Sequence, residues 1–161
     1  MSPGHSIHHI VVCESSCNVV SDPKDIAVAE DGSLFVADWG PEGTSRIRKV
    51  TQEGVVTTIG GPQARFSDIR DLEIGTDGTL YVVDYSDDGR SAIYTIGEDG
   101  EPTIFAGPSG FELRDGNIED ARFYKIEDLE FGEHGVLYIA DHHWIRMITP
   151  TDSVITIAGN P

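Results

Sequence analysis

The fold is decided by residues 128–159: Asp128-Leu129-Glu130-Phe131, the turn Glu133-His134-Gly135, Val136-Leu137-Tyr138-Ile139-Ala140-Asp141, Trp144-Ile145-Arg146-Met147-Ile148 and Val154-Ile155-Thr156-Ile157-Ala158-Gly159. Four short apolar runs are separated by turn signals. The same text occurs twice upstream. Asp71 opens Asp-Leu-Glu-Ile, followed by Thr76-Asp77-Gly78, Leu80 to Asp84, Ala92 to Ile96 and Thr103 to Gly107. Asp25 opens Asp-Ile-Ala-Val, followed by Glu30-Asp31-Gly32, Leu34 to Asp38, Arg46 to Val50 and Val56 to Gly61. A recurring unit of four strands, spaced by roughly 40 to 60 residues, is the sequence signature of a propeller blade.

Landmarks recur in phase. Gly32, Gly78 and Gly135 occupy the first turn, two of them in Asp-Gly hairpin signals. Asp38, Asp84 and Asp141 end the second strand, Ile47, Ile93 and Ile145 anchor the third, and Gly61, Gly107 and Gly159 close the fourth. No segment keeps a helical period. The expected architecture is therefore all-β: three four-stranded antiparallel blades over 21–61, 66–107 and 123–159, within a unit 21–161. Residues 1–20 precede them as an N-terminal hairpin or half-blade, with Ile7 to Val12 as one of its strands.

Length variation is uneven. The turns between first and second strands stay constant. The link from second to third strand falls from nine steps (Asp38 to Ile47, Asp84 to Ile93) to four (Asp141 to Ile145). The crossing before the third unit is lengthened by a segment that includes Phe111 to Gly116. In an up-and-down blade these two variable connections share one end, which marks that end as the working one.

Composition bounds the function. With 28 acidic residues against 11 Lys and Arg the formal charge is −17, which opposes a nucleic-acid partner and favours solubility. No apolar run has the length of a membrane helix, and no basic-then-apolar leader opens the chain. The native compartment stays open. Cys13 and Cys17 read as free thiols or a short-loop disulfide. A zinc site completed by His5, His8 or His9 is the alternative, although no second paired cluster exists to complete a structural site.

The pattern resembles the NHL-repeat family of β-propellers over residues 21–159. The resemblance rests on Leu34 to Asp38, Arg46 to Val50 and Val55 to Gly60, with Ala121-Arg122-Phe123 and Thr156 to Gly159 in the third repeat. It implies a scaffold shared by non-catalytic binding modules and by six-bladed lactonase- and esterase-like hydrolases. Three repeats do not close a ring of about six blades. The expectation is either a piece of a longer chain or a homodimer that completes the ring. The resemblance also shows a departure: Asp25, Asp71 and Asp128 stand where family members commonly have Gly.

Those three aspartates are the leading site candidates. First strands line a propeller's centre, so the carboxylates are expected to converge there. They act either as latches on backbone N–H groups of the neighbouring blade, as oxygen ligands of a calcium or magnesium ion, or as catalytic carboxylates. Glu73 and Glu130 follow on the same side. Asp38, Asp84 and Asp141 are expected to accept loop N–H bonds. Asp84 to Gly89 opens like a calcium loop but has Thr95 where the bidentate Glu belongs, so it reads as a solvated acidic loop. His142 and His143, beside Trp144, read as a surface polar pair or as a candidate general base. The functional expectation is a non-catalytic module that binds a protein or peptide through its loop-rich end, with a cation on the axis as an added element. The alternative is part of a calcium-dependent lactonase or esterase.

Overall fold

The computed structural model describes residues 20–40, 42–59, 66–97, 99–107 and 112–160. The N-terminal hairpin expectation and Cys13, Cys17, His5, His8 and His9 lie outside these residues. The described chain is all-β and forms three antiparallel sheets, each built from consecutive strands. Sheet I holds β1 (Pro23–Val28), β2 (Leu34–Trp39), β3 (Ser45–Val50) and β4 (Val56–Ile59). Sheet II holds β5 (Ile69–Ile74), β6 (Leu80–Tyr85), β7 (Ser91–Ile96) and β8 (Pro102–Ala106). Sheet III holds β10 (Ile126–Phe131), β11 (Leu137–Asp141), β12 (Trp144–Ile148) and β13 (Ser153–Gly159), and a short strand β9 (Gly116–Asn117) pairs with the outer edge of β13.

The sheets fan out from their first strands. β5 lies against β1 on one side and β10 on the other. Two apolar layers fill the gaps. Between I and II pack Ala37, Ile47, Phe66, Ile69, Leu72 and Val82. Between II and III pack Val83, Ile93, Phe123, Ile126, Leu129 and Ile139. Strands buried on both faces carry apolar residues at successive positions, which explains Tyr81-Val82-Val83 in the middle of sheet II. Phe66 and Phe123, each just ahead of a first strand, plug equivalent places in the two gaps.

Sequence-level turn chemistry appears where it is needed. Gly32 and Gly78 take φ of 78° and 83° in the first hairpins. Gly107 closes β8 at φ 76°, and a Cβ there would sit 2.7 Å from the Phe123 ring and 2.9 Å from the Ser91 carbonyl oxygen. The third hairpin differs: Glu133–Gly135 forms a short 3-10 turn with His134 itself at φ 60°.

Candidate functional site

Every first strand carries the same irregularity. Register shifts between Pro23 and Asp25, between Ile69 and Asp71, and between Ile126 and Asp128. An extra residue in one strand re-aims the side chains that follow it. The bulge turns the aspartate toward the next sheet. Asp25 Oδ2 accepts the Leu72 N–H at 2.7 Å, and Asp71 Oδ2 accepts the Leu129 N–H at 3.0 Å. Glu73 adds a longer contact, 3.4 Å, from the Phe131 N–H. The edge amides of β5 and β10 are thereby satisfied by carboxylates of the sheet before them. A second row repeats at the strand ends: the Ile69 N–H donates to Ser45 Oγ at 3.0 Å and the Ile126 N–H to Ser91 Oγ at 2.9 Å.

Asp25 and Asp71 therefore act in series along the fan, and Asp128 stands in the equivalent place on sheet III. Asp71 is buried between the other two, and burial, then the charges of Asp25 and Asp128, push its carboxyl up to about 7. Burial also raises Glu73. Asp128 is exposed. Among the described residues no group of three or more His, Cys, Asp or Glu side chains is arranged to hold a metal ion.

Asp38, Asp84 and Asp141 accept backbone N–H groups of the crossing segments: Ser21 and Asp22 for Asp38, Asp68 for Asp84, Tyr124 and Lys125 for Asp141. In the Asp84 to Gly89 loop, Asp88 pairs with Arg90 and accepts from Ser86 Oγ at 2.5 Å.

At the loop-rich end four cations pair with acidic neighbours. Lys24 meets Asp22 at 2.7 Å, Arg46 meets Asp38 at 2.9 Å and Arg70 meets Asp68 at 2.6 Å; Lys125 pairs with Glu127. The opposite end presents Glu30, Asp31, Glu53, Asp77, Asp99, Glu101 and Glu133 in its turns. His142 and His143 form the tight β11–β12 turn, with His142 at φ 53° and its N–H donating to the Lys125 carbonyl at 2.9 Å. Their rings join Tyr124 and Trp144 in one cluster. Centroids are 4.9 Å apart for Tyr124–His142, 3.7 Å for His142–His143 and 6.0 Å for His143–Trp144. Tyr124, His142 and His143 are exposed. No hydrogen bond or ion pair among the described residues joins these imidazoles to Asp25, Asp71 or Asp128.

Two features escape a reading of the repeats. Arg146, fully buried, fastens the lengthened crossing to sheet III. It donates to the Arg122 and Arg114 carbonyls at 2.6 and 2.7 Å and meets Asp115 at 2.8 Å and Asp141 at 3.1 Å, with its guanidinium over Phe123. Asp115 in turn accepts the Thr156 N–H. The available signal was Arg48, which occupies the same place after the β3 isoleucine. The second feature is a cleft of about 850 Å³ between sheets I and II, open at the fixed-turn end and lined by Phe35, Lys49, Asp77, Thr79 and Asp99 among others. In the next gap Tyr81 stacks edge-on with Phe105 and Phe131, at 5.0 and 5.1 Å, and fills that space.

No family model and no curated protein matches the sequence. Solved structures do match. A protein of unknown function from Bacteroides thetaiotaomicron superposes with TM-score 0.65 at 23% identity, covering 86% of this chain and 36% of that one. Virginiamycin B lyase from Staphylococcus aureus, a β-propeller, gives TM-score 0.58 at 20% identity, covering 84% and 40%. The extracellular domain of a putative hybrid two-component system from B. thetaiotaomicron gives 0.58 at 12% identity, covering 87% of this chain and 17% of that one. The chain thus spans well under half the length of these neighbours. At such identities the likeness concerns fold alone: three antiparallel sheets arranged as in part of a propeller.

Proposed function

We propose that this chain is a non-catalytic binding module of three NHL-type propeller blades, whose loop-rich end takes a protein or peptide partner. The observation that carries this reading is the ring cluster of Tyr124, His142 and His143, exposed beside the half-buried Trp144 at the end where connection lengths vary. Aromatic and imidazole rings offer large contact area at low conformational cost, which is why such residues dominate binding surfaces. His142 is held in a left-handed backbone conformation that an L-residue rarely adopts, and strain of this kind gathers at working sites.

The hydrolase alternative asks for an imidazole acting with axial carboxylates around a cation. Asp25 and Asp71 already commit one oxygen each to an amide, which supports the latch reading over that one. The test is selection of peptides from a random display library on the immobilised protein, followed by binding measured through Trp144 fluorescence. Selected peptides are expected to lose at least about tenfold in affinity on Tyr124→Ala, as an aromatic anchor does. They are expected to be indifferent to Tyr138→Ala, at a different surface. Failure to enrich any peptide, or equal affinity for both variants, overturns the proposal. Calcium-dependent hydrolysis of an aryl ester or lactone that is lost on His142→Ala or His143→Ala favours the hydrolase instead.

A further inference from the structure

The two junctions between sheets are filled differently, and both walls of each belong to this chain. Between sheets II and III three rings, Tyr81, Phe105 and Phe131, pack edge to face. Between sheets I and II the repeat puts Phe35, Ile59 and Ile74 in the equivalent places. Phe35 pairs with Ala27 as Tyr81 pairs with Glu73, and Ile74 pairs with Leu80 as Phe131 pairs with Leu137. Ile59 stands two residues ahead of Gly61 as Phe105 stands two ahead of Gly107. Two rings have become isoleucines, and the cleft of about 850 Å³ lies where they are missing. A volume of about 300 to 1,000 Å³ is what a small-ligand site offers.

One wall of this cleft carries a charge that the next junction lacks. Lys49 pairs with Phe35, where Thr95 pairs with Tyr81. It is half-buried, and its Nζ lies 5.5 Å from the centre of the Phe35 ring. Lys24, Arg46, Arg70 and Lys125 each pair with a carboxylate, whereas Lys49 makes no ion pair among the described residues. Asp31 feels its charge at longer range, after two hydrogen bonds from Ser33. On the other wall Asp77 and Asp99 stand exposed at the mouth. An amide of its own turn fixes each: Asp77 accepts the Thr79 N–H and Asp99 the Glu101 N–H, both at 3.0 Å. Neither carboxylate makes an ion pair among the described residues.

A ligand that suits both walls has an anion at one end, a cation at the other and an apolar middle. We propose that the cleft between sheets I and II binds a short peptide with free termini. Its carboxylate meets Lys49, its ammonium meets Asp77 and Asp99, and an apolar side chain lies over Leu80 and Ile59. Charge-assisted hydrogen bonds of this kind are about twice as strong as neutral ones. A sugar is less suited, because it stacks on an open aromatic face and Lys49 lies over the Phe35 ring. A polyanion is opposed by the two carboxylates at the mouth. The site is at the fixed-turn end, away from the ring cluster of Tyr124, and does not rest on the reading of that cluster.

Isothermal titration of the intact chain with the tripeptide Ala-Leu-Ala, free at both termini, tests this. Saturable one-to-one binding with a Kd below about 1 mM is expected. Amidation of the peptide's C-terminus and Lys49→Met each weaken it by about tenfold or more, and in Lys49→Met amidation has no further effect. Ile74→Phe, which copies the ring of the next junction, abolishes binding, and Tyr124→Ala leaves it unchanged. Thermal melts establish that the variants are folded; if Ile74→Phe is not, the half-buried Lys49→Met decides with the amidated peptide. Absence of saturation, or binding indifferent to amidation, to Lys49→Met or to a folded Ile74→Phe, overturns the proposal. So does binding that is lost on Tyr124→Ala, which places the peptide at the loop-rich end instead.

Discussion

Replacing Asp71 by Asn keeps an acceptor for the Leu129 N–H and removes a charge from between Asp25 and Asp128. The wild-type carboxyl is raised to about 7 by burial and by those two neighbours. An unfolded aspartate titrates near 3.9. The folded state therefore binds this proton more tightly than the unfolded state does. The sign follows: Asp71 is least costly at low pH, and stability falls as pH rises from about 4 to about 7, after which the cost is complete. Three pKa units correspond to about 4 kcal/mol, an upper value for a group whose neighbours also adjust. Asn carries none of this pH dependence, although its neutral amide oxygen makes a bond about 1 kcal/mol weaker than the carboxylate's. Asp71→Asn is thus expected to stabilise the protein above pH 7 by about 1 to 3 kcal/mol. Its advantage over wild type should grow by about 3 kcal/mol between pH 5 and pH 8. Urea unfolding of both proteins at a series of pH values measures the difference. Parallel stability curves across this range would refute the reasoning, because they would mean that Asp71 carries no raised pKa in the folded state.

Three further outcomes follow from the same geometry. Arg146→Met leaves Asp141 buried without its cation and releases the crossing at residues 114 and 122, so it should cost about 3 to 5 kcal/mol in urea unfolding and expose residues 112–123 to hydrogen exchange. Asp152→Gly relieves a left-handed backbone at φ 56°, where the equivalent turns have Gly54 and Gly100, and should stabilise by up to about 1 kcal/mol in the same assay. Calcium should leave the melting temperature unchanged, since Asp25 and Asp71 are engaged by amides; a rise that Asp71→Asn reduces would place a cation beside them after all.

The sheets were legible because the same landmarks return three times in phase, where a single copy carries a weaker signal. The aspartates were legible as a periodic departure, and the latch was among the readings they allowed. Their geometry was not. The bulge ahead of each one is a backbone event with no fixed residue type, since Lys24, Arg70 and Glu127 occupy it in turn. The side chains of Asp25 and Asp71 consequently reach an amide of the next first strand. The role of Arg146 is hidden in the sequence because its partners Arg114, Asp115 and Arg122 lie in the lengthened crossing, outside the repeat. Strand β9 escaped for the same reason. The cleft between sheets I and II depends on the volume of paired side chains across a gap, Phe35 and Ile59 against Tyr81 and Phe105 in the next, which periodicity does not encode.

The central structural claim is that carboxylates from one sheet satisfy the strand-edge amides of the next. Residue-resolved amide exchange tests it most directly, comparing wild type with Asp71→Ala. The account predicts that the Leu129 amide loses protection by about tenfold or more while the Ile126 amide, held by Ser91, keeps its own. Unchanged protection at Leu129, or an equal loss at both positions, would contradict it.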